Sequence, residues 1–538
     1  MSCRCIFASF VALTFAATAL WSLEPVLRPP PPNIVVLTVE SLRSDAIGET
    51  TTPQLLSAAR SGMRFTAHHA ISAWTVPNII ALLTGLSPFA QGVHARGQTV
   101  DPALDLPLER LSDAGWTVAG LQTFMGIDVY SYLGLSVDPG TDLKGWLSRR
   151  ADTPDPFLLW YHYTDTHLPY APKAPGVRER VLALAATDAA RRRAEQVSEQ
   201  PAIRHDSLVF EPDDLRPIRA LYGANVGEFD AWFGGFWRFF QDSGLARDTI
   251  LVVTADHGDE LLERGHVGHA STTLDGNLYE EVLHIPLFLW LPDGTGAGRT
   301  VTAPTDHLDV MPTLLARLGR ARDLPPGSEG RDLTADTLPA RPWMGLTSPG
   351  GFAEPDPLHI DRFIAALSEG GFKLHLWQQA GRTVRTALYD LGADPGETRD
   401  VAAERPDLAR PMTERLEERL RGMRPPSPLA PVQDGAASGP VGWLHPTGSR
   451  VVGYADVAAG FTLTWSGAAE AAYVVEYRAG EGGLTLSGQL RAEGGHMAFG
   501  PVERSYWERF VLPYGVVRLR VGSGGAIWSD WITMRLVP

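Results

Sequence analysis

The chain alternates between short apolar runs and segments in which apolar residues recur every three or four positions. The segments with helical spacing include 53–61 and 225–242. The apolar runs, rich in Val, Ile, Leu and aromatic residues, are typical of buried parallel strands and lie at 33–39, 116–120, 157–161 and 249–254. Strands that alternate with helices predict an α/β fold with a mostly parallel central sheet flanked by helices.

The two ends of the chain differ in pattern from this central part. Residues 1–22 hold one Arg, an apolar stretch from Ile6 to Trp21 and the small-residue sequence Ala17-Thr18-Ala19. These features predict a cleaved secretory signal peptide or, alternatively, a membrane anchor. Residues 425–439 are rich in Pro, Gly and Ser and predict a linker. Beyond it, residues 440–538 carry short alternating segments with Gly-rich turns, which predict a small antiparallel β-sandwich.

Composition and charge exclude several classes of protein. The chain has 538 residues, with 47 Lys and Arg against 62 Asp and Glu, so its formal charge is 47 − 62 = −15. This charge disfavours nucleic acid and anionic lipid as partners. Cys3 and Cys5, the only cysteines, precede the apolar stretch, which excludes a disulfide scaffold and a cysteine nucleophile in the mature protein. The charged segment 174–216 predicts an inserted helical region whose charges face solvent.

Residues capable of chemistry follow two of the predicted strands. Glu40 comes directly after the first strand, and Asp256 and His257 come directly after the strand 249–254 and Ala255. Because the carboxyl ends of parallel strands meet at one edge of a sheet, these side chains are expected to converge. Two carboxylates and an imidazole form a site suited to a divalent cation. For an isolated Asp-His-Gly sequence, solvated loop residues are the commoner explanation.

Thr75 lies ahead of a predicted helix that has Pro77 in its first turn and Gly85 at its end. Backbone N–H groups and the helix dipole favour anions at such a place. A hydroxyl group there that touches a metal ion can act as a nucleophile. Taken alone, Thr75 is more typical of a helix cap.

Together these residues resemble the sulfatase family of the alkaline phosphatase superfamily. The resemblance covers about 33–424, with 174–216 unmatched, and implies an alkaline phosphatase-like catalytic domain at 33–357 and a small C-terminal subdomain at 358–424. The segments that carry it, in the order of the family, are Asn33–Asp45, Thr52-Pro53, Gly62–Phe65, Thr75–Gly85, His162, Asp165, His167, Pro169-Tyr170, Thr254–Gly258, Gly268-His269, Glu280–Pro286, Asp309–Leu315, Leu388–Leu391 and Asp394–Glu397.

Carried over position by position, the resemblance implies the roles of individual residues. The family's metal site falls on Glu40, Thr75, Asp256 and His257, with Thr75 as the nucleophile and one divalent ion (Mn, Mg, Ca or Zn) as the cofactor. The histidines that contact the ester or protonate the leaving oxygen fall on His162, His167 and His269. A two-metal arrangement is the alternative, and it would need Asp165 and His167 with His307 or His375.

Four positions depart from a true sulfatase. Thr75 stands where the family has the Cys or Ser that is oxidised to formylglycine, so no formylglycine is expected. Ile79 replaces an Arg, residues such as Gln122 and Thr123 replace the expected Gly-Lys, and Glu40-Ser41 replaces the first carboxylate pair. Glu40-Ser41 with Thr75 instead resembles the phosphoglycerol and phosphoethanolamine transferases, in which a metal-bound threonine is phosphorylated.

These observations predict a secreted or periplasmic hydrolase, anchored if the N-terminal segment is retained, that cleaves phosphate esters in preference to sulfate esters. The substrate class is a small-molecule, glycan or lipid ester. Phosphoryl transfer to an alcohol and a non-catalytic binding protein are the alternatives. The segment 440–538 resembles a fibronectin type III or immunoglobulin-like module on the basis of Trp465, Tyr477 and Trp528–Trp531. Its aromatic residues are expected in the core, with contact to carbohydrate as the other interpretation.

Overall fold

The computed structural model describes most of the chain from residue 31 to residue 538. The N-terminal segment 1–22, Gln122, Thr123 and most of the predicted linker lie outside the described residues. Among the helices that are described, none is both long and apolar enough to cross a bilayer. The residues left out are 1–30, 95–97, 122–132, 139–141, 151–152, 154, 202, 204–206, 271–275, 349–360, 426, 429–442, 447–449, 459, 467–471, 481–485, 494, 500–503, 505–506, 508–510 and 524–526.

A nine-stranded mixed sheet forms the centre of the fold and confirms the predicted fold class. Its middle is parallel, because Asn33–Val39 pairs in parallel with Phe157–Tyr163 on one side and Thr249–Ala255 on the other. His284–Trp290 runs antiparallel to its neighbours, which makes the sheet mixed. In spatial order the strands are Thr300–Val301, Met63–His69, His284–Trp290, Thr249–Ala255, Asn33–Val39, Phe157–Tyr163, Thr117–Leu121 and Ser136–Asp138, with Thr305–Asp306 also paired to Met63–His69.

Helices flank this sheet and bury their apolar faces against it. The longest, Leu215–Asp242, packs aromatic side chains against the sheet, for instance Trp232 stacked on Tyr161 at 5.5 Å between ring centroids. The predicted insert contains two of the shorter helices, Val177–Leu182 and Asp188–Val197. The other α-helices are Pro53–Ala59, Thr75–Thr84, Pro88–Gln91, Pro107–Asp113, Leu143–Arg150, Glu280–Leu283, Val310–Arg317, Pro406–Arg421 and Tyr454–Val457.

The register of the central strands decides where the candidate site lies. Val39 is aligned with Ala255 across the parallel pair, and with Tyr163 on the other side. The residues that follow these strands, Glu40 and Asp256, therefore emerge side by side at one edge of the sheet. The four runs predicted as strands are confirmed, each within about two residues of the observed bounds.

Smaller sheets complete the chain. A four-stranded antiparallel sheet follows the central domain and packs against the helix Pro406–Arg421; its strands are Trp343–Thr347, Arg362–Glu369, Phe372–Gln379 and Arg382–Asp390. Two short strand pairs are also present, namely Gln98–Thr99 with Ser427–Pro428 and Glu260–Leu261 with Val267–Gly268.

The C-terminal part is all-β apart from short helical turns. It contains two sheets that share a core including Trp465, Tyr473 and Trp507. One pair, Arg450–Val452 with Ile532–Leu536, is parallel, whereas the sequence pattern predicts only antiparallel pairing. The three-stranded sheet consists of Trp443–His445, Phe461–Trp465 and His496–Phe499; the six-stranded sheet consists of Arg450–Val452, Ile532–Leu536, Val516–Ser523, Ala472–Ala479 and Leu486–Glu493, with Ile527–Trp528 beside Val516–Ser523.

Candidate functional site

Thr75 is the first residue of the helix Thr75–Thr84, and its hydroxyl points toward the ends of the central strands. The loop ahead of it is held by Asn78, whose side-chain oxygen accepts hydrogen bonds from the backbone of Ile71 and Ser72. The Asn78 amide nitrogen in turn donates to the carbonyl groups of Ser72 and Trp74. The helix ends at Gly85 in a left-handed conformation, as the sequence predicts. Trp74 is the N-cap and Thr75 is the first helical residue, so N-capping does not account for this threonine, whose hydroxyl contacts Glu40 and His257.

Four candidate donor atoms from four side chains come together at this point. The Oγ1 atom of Thr75 lies 3.2 Å from Oε1 of Glu40 and 3.4 Å from Nε2 of His257. The same His257 nitrogen lies 3.4 Å from Oε1 of Glu40 and 3.2 Å from Oδ2 of Asp256. The structure thus brings all four predicted metal ligands into contact, and each is buried.

This donor set fits a divalent cation. Ligand atoms that surround a tetrahedral ion at about 2.1 Å are about 3.4 Å from one another, close to the separations between these atoms. The Oδ2 atom of Asp256 is buried and has no hydrogen-bond partner among the described residues. The Nδ1 atom of His257 donates to the carbonyl of Gly258 at 2.8 Å, which directs Nε2 toward the two carboxylates. Three oxygen atoms and one imidazole nitrogen suit Mn, Zn, Mg or Ca in different degrees and do not single out one of them.

The charges in this cluster shift the protonation of its members. Burial opposes ionisation of Glu40, but the hydrogen bond and charge of His162 outweigh burial and hold the pKa of Glu40 well below its ordinary value. Burial and the neighbouring charge of Glu40 raise the pKa of Asp256 to about 6. Burial would lower the pKa of His257, but the charges of Asp256 and Glu40 raise it to about 9. In the absence of a cation, the cluster holds a proton that a bound metal would replace.

His162 contacts Glu40 and Thr38, whereas the resemblance implied a contact with the ester group. Its Nε2 atom is 2.5 Å from Oε2 of Glu40, and its Nδ1 atom is 2.6 Å from Oγ1 of Thr38. Both ring nitrogens are therefore engaged within the protein, and the side chain is fully buried. This arrangement orients the Glu40 carboxylate and leaves His162 no nitrogen for an ester group.

His167 and His269 lie next to each other and close to Glu40. Their ring centroids are 5.0 Å apart, and the ring of His269 is 4.1 Å from that of His257. One ligand atom each of Glu40, His167 and His269 falls within 4.8 Å of the others. Burial lowers the pKa of His167 to about 4, so this imidazole is neutral near pH 7. These two histidines lie beside Glu40 and His257, the residues that the hydroxyl of Thr75 contacts.

The residues of the two-metal alternative do not come together. The Asp165 carboxylate pairs with Nζ of Lys173 at 2.5 Å and is partly exposed. His307 contacts the carbonyl of Ala255 at 2.9 Å and the side chain of Asn78. His375 belongs to the four-stranded sheet, where it contacts Glu397 at 3.0 Å. Neither His307 nor His375 joins Asp165 and His167, so the second metal centre that the sequence could suggest from these residues is not formed.

Asp259 is a site residue that the sequence analysis did not assign. Its Oδ1 atom lies 2.6 Å from Nδ1 of His269, and its Oδ2 atom accepts a hydrogen bond from the hydroxyl of Tyr170 at 2.6 Å. Burial raises the pKa of Asp259 to about 6, although the charge of His257 opposes the shift. The sequence feature that could have indicated Asp259 is its position three residues after Asp256, in the loop that follows the same strand.

Ser41 and Gly258 fix the backbone around the candidate metal ligands Asp256 and His257. Ser41 has a positive φ of 55°, and its N–H donates to Oδ1 of Asp256 at 2.9 Å. A Cβ atom on Gly258 would lie 2.4 Å from the carbonyl oxygen of Glu281, so only glycine fits after His257. These two constraints hold Asp256 and His257 in the orientation that the cluster requires.

Comparisons with known proteins show similarity to sulfatases over part of the chain. Residues 141–320 match the family model described as Sulfatase. Bovine arylsulfatase K is 27% identical over 218 residues, and the match spans only 38% of that relative and 40% of this chain. Human arylsulfatase A is 25% identical over 437 residues, which cover 68% of this chain and 82% of the relative. Over these segments the chain is similar to sulfatases.

Solved structures show the same fold. The phosphonate monoester hydrolase of Agrobacterium radiobacter superposes with a TM-score of 0.55 at 20% identity, covering 74% of this chain and 97% of that one. Another structure, described as a complex with its substrate D-glucosamine-2-N,6-O-disulfate, gives a TM-score of 0.52 at 18% identity and covers 73% of this chain and 99% of that one. The superposed proteins thus include a phosphonate ester hydrolase and a protein that binds a sulfated sugar.

Proposed function

We propose that this chain is a secreted or periplasmic metal-dependent hydrolase that cleaves phosphate esters, and sulfate esters less readily, through Thr75 as the nucleophile. The observation that carries the proposal is the position of Thr75 Oγ1, 3.2 Å from Glu40 Oε1 and 3.4 Å from His257 Nε2. The similarity to arylsulfatases and to a phosphonate monoester hydrolase supports the same reaction class.

Glu40, Thr75, Asp256 and His257 would hold one divalent ion. Such an ion, when bound, lowers the pKa of a coordinated alcohol and neutralises charge on an ester oxygen. The chain's own contribution is to place the Thr75 oxygen at the start of a helix, where backbone N–H groups face an incoming anion. Positioning and positive charge are what phosphoryl transfer mainly requires.

The reaction proceeds in two displacements. The Thr75 oxygen bonds to phosphorus while the bond from phosphorus to the leaving oxygen breaks, and the leaving oxygen takes up one proton. Water then attacks the phosphothreonine, releasing inorganic phosphate and restoring the Thr75 hydroxyl. His269 supplies the proton and the neutral His167 can accept one, because both rings lie beside the cluster of Glu40 and His257.

The identity of residue 75 favours phosphate over sulfate. The sulfatase mechanism uses the hydrate of an aldehyde, and oxidation of a threonine yields a ketone. A threonine alkoxide that attacks phosphorus needs no such modification, so no formylglycine is expected here. The ester group belongs to a small molecule, a glycan or a lipid, and we extend the proposal to carbohydrate contact through the C-terminal sheets.

A turnover panel on the purified full chain tests the proposal. Aryl phosphate, bis-aryl phosphate and aryl sulfate are each offered with Mn, Zn, Mg or Ca to the wild type, Thr75→Ala, Thr75→Ser and the exposed control Thr295→Ala. We expect phosphoester turnover that is lost in Thr75→Ala, reduced in Thr75→Ser and unchanged in the control. Mass spectrometry of acid-quenched enzyme should find one phosphoryl group on the peptide that contains Thr75.

Two results would overturn the proposal. Full phosphoester turnover in a folded Thr75→Ala variant would show that Thr75 is not the nucleophile. Turnover of aryl sulfate alone would show that the substrate is a sulfate ester and not a phosphate ester. Product that increases with added glycerol, at the expense of free phosphate, would instead identify a transferase.

A further inference from the structure

Arg43 is a buried cation in the loop that begins with Glu40, and its side chain is 8% exposed. Its Nε and Nη2 atoms donate to the two carboxylate oxygens of Asp45 at 2.9 Å and 2.7 Å. Its Nη1 atom donates to Oε1 of Glu263 at 2.8 Å. Pairing of opposite charges therefore explains one part of the contacts that this guanidinium group makes.

A further contact joins Arg43 to the loop that carries the candidate ligands Asp256 and His257. Its Nη1 atom donates to the backbone carbonyl of Asp259 at 2.9 Å. The stem of the side chain packs against Gly258, since a Cβ atom built on that glycine would lie 3.1 Å from Cγ of Arg43. Arg43 thus contacts the two residues that directly follow the ligand pair. The ion pairs of the guanidinium group do not require either contact.

Each of these two residues directs a histidine of the site. The carbonyl of Gly258 accepts a hydrogen bond from Nδ1 of His257 at 2.8 Å, which turns Nε2 toward the other candidate ligands. The carboxylate of Asp259 lies 2.6 Å from Nδ1 of His269. A shift of the backbone at 258–259 would therefore move both imidazoles. In an active site, a misplacement of about 1 Å can cost about 100-fold in rate.

The backbone of Arg43 is itself fixed by the helix Leu215–Asp242. The N–H of Arg43 donates to the hydroxyl of Tyr222 at 2.9 Å, and that hydroxyl donates to the carbonyl of Ser41 at 2.9 Å. The N–H of Ser41 in turn donates to Asp256. Arg43 therefore connects three elements, namely the loop after the first strand, the longest helix and the loop after Asp256.

We infer that Arg43 is a positioning residue, which holds the backbone of Gly258 and Asp259 so that His257 faces the metal ion and His269 faces the leaving group. The inference rests on the proposed function. The guanidinium group suits this role, because its N–H donors lie in one plane at fixed angles and reach two carboxylates and a carbonyl together. A lysine ammonium is a point charge and fixes fewer partners at once.

Metal titration and a comparison of leaving groups test the inference. The metal-free forms of the wild type, Arg43→Gln and Arg43→Lys are titrated with Mn by calorimetry, and kcat and KM are measured for an alkyl phosphate and a nitrophenyl phosphate. Arg331→Gln is the matched control, because the side chain of Arg331 is also buried, pairs with Asp309 at 2.8 Å and donates to the carbonyl groups of Pro304 and Pro339.

The variants should fold. The side chains of Asp45 and Glu263 are 66% and 21% exposed, so water reaches both carboxylates when Arg43 is replaced. Glu263 also keeps its ion pair with Arg219 at 2.9 Å. Melting curves of each variant establish that it is folded, and Arg43→Lys, which retains the charge, serves if Arg43→Gln does not fold.

In Arg43→Gln we expect the dissociation constant for Mn to rise about tenfold and kcat for the alkyl phosphate to fall about 10- to 100-fold. The loss should be smaller for the nitrophenyl phosphate, whose leaving oxygen needs no proton. KM should change less than kcat, because Arg43 acts through the backbone and not on the substrate. Arg43→Lys should show smaller losses of the same kind. Arg331→Gln should melt at a lower temperature than the wild type but keep its Mn affinity and its ratio of rates on the two substrates.

Either of two results contradicts this role of Arg43. Wild-type Mn affinity together with a wild-type ratio of rates in folded Arg43→Gln or Arg43→Lys would show that the loop needs no such support. Equal losses in Arg331→Gln would assign Arg43 only a general part in stability. Failure of the proposed hydrolase is a separate result, because the calorimetry uses no substrate: a wild type that binds Mn more tightly than Arg43→Gln but cleaves no phosphoester would overturn the proposed reaction and keep Arg43 as a support of the metal site.

Discussion

The imidazole of His162 joins Glu40 to Thr38. Thr38 lies two residues before Glu40, on the strand Asn33–Val39 that pairs with the strand of His162. Its Nε2 atom lies 2.5 Å from Glu40 Oε2, and its Nδ1 atom lies 2.6 Å from Thr38 Oγ1. The hydroxyl oxygen of Thr38 already accepts a hydrogen bond from the indole of Trp160 at 2.9 Å. Because the ionised carboxylate of Glu40 can only accept, Nε2 of His162 is the donor in that contact. This chain of contacts fixes the direction in which Glu40 presents its other oxygen to Thr75.

His162 should accordingly act as a positioning residue for the metal site. Replacing it by Phe removes the donor to Glu40, and we expect metal affinity to fall about 10- to 100-fold. His162→Gln, which retains an N–H donor, should recover part of that loss. Isothermal titration with Mn or Zn measures both variants. Equal affinity in wild type and His162→Phe would show that Glu40 needs no such support.

Asp256 should control whether the protein holds a metal ion at all. Asp256→Asn keeps the shape of the side chain but removes the charge from Oδ2, the buried oxygen that faces His257 at 3.2 Å. We expect the bound metal, measured by elemental analysis after dialysis, to fall from about one ion per chain to a small fraction. Asp165→Asn is the control, because that carboxylate pairs with Lys173 outside the cluster. Metal retained at full occupancy in Asp256→Asn would contradict the ligand assignment.

Asp259 should act through His269 on the leaving group. The carboxylate lies 2.6 Å from Nδ1 of His269 and fixes the direction of its ring. In Asp259→Asn we expect kcat to fall about 100-fold for an alkyl phosphate, whose leaving oxygen needs a proton. The loss should be much smaller for a nitrophenyl phosphate, which leaves without one.

Tyr170→Phe provides the comparison, because it removes the hydrogen bond on the other oxygen of Asp259 and leaves His269 in place. With both substrates, Tyr170→Phe should lower kcat less than Asp259→Asn does. The same loss for alkyl and nitrophenyl substrates in Asp259→Asn would assign Asp259 a structural role only.

The convergence of Glu40, Asp256 and His257 could be predicted from sequence because it depends on a local rule, whereas the place of Thr75 beside them was implied by the resemblance to the sulfatase family. Parallel strands share one edge for their carboxyl ends, and a Pro in the first turn marks the helix start at Thr75. The position of His162 could not be predicted in this way. It depends on which face of its strand it occupies, and that is decided by the aromatic side chains of the helix Leu215–Asp242, which cover Tyr161 and Tyr163 on the opposite face.

The remaining differences between the sequence predictions and the structure arise from side chains and strands whose partners are distant in sequence. Asp165 pairs with Lys173, from the loop that leads into the insert, and no spacing rule connects these two residues. The strand pairing of the C-terminal sheet likewise joins segments far apart in sequence, and one parallel pair, Arg450–Val452 with Ile532–Leu536, replaces the expected antiparallel order. The aromatic residues Trp465 and Tyr477, by contrast, lie in the core as predicted, because strand alternation alone buries them.

His94 should make the stability of the fold sensitive to acid, independently of the metal site. The side chain is buried against the edge of Phe363, with 5.4 Å between ring centroids. Its Nε2 atom has no hydrogen-bond partner among the described residues. Burial lowers the pKa of His94 to about 3 from an ordinary value of 6.5. The unfolded chain therefore binds a proton first as the pH falls, so the contribution of His94 to stability is complete above pH 6.5 and is lost from there toward pH 3.

We expect protonation of His94 in the unfolded chain to lower the free energy of unfolding by about 2 kcal/mol between pH 7 and pH 5. Each pH unit below 6.5 lowers it by about 1.4 kcal/mol until the folded state also binds the proton. His94→Met keeps an unbranched side chain of similar length and cannot bind the proton, so its stability should depend less on pH over that interval. The exposed His445→Met is the control and should follow the wild type. Urea unfolding at pH 7 and pH 5 measures all three proteins. If wild type and His94→Met lose equal stability between the two values, the buried imidazole is not the group that titrates, because its removal would then leave the proton uptake of unfolding unchanged.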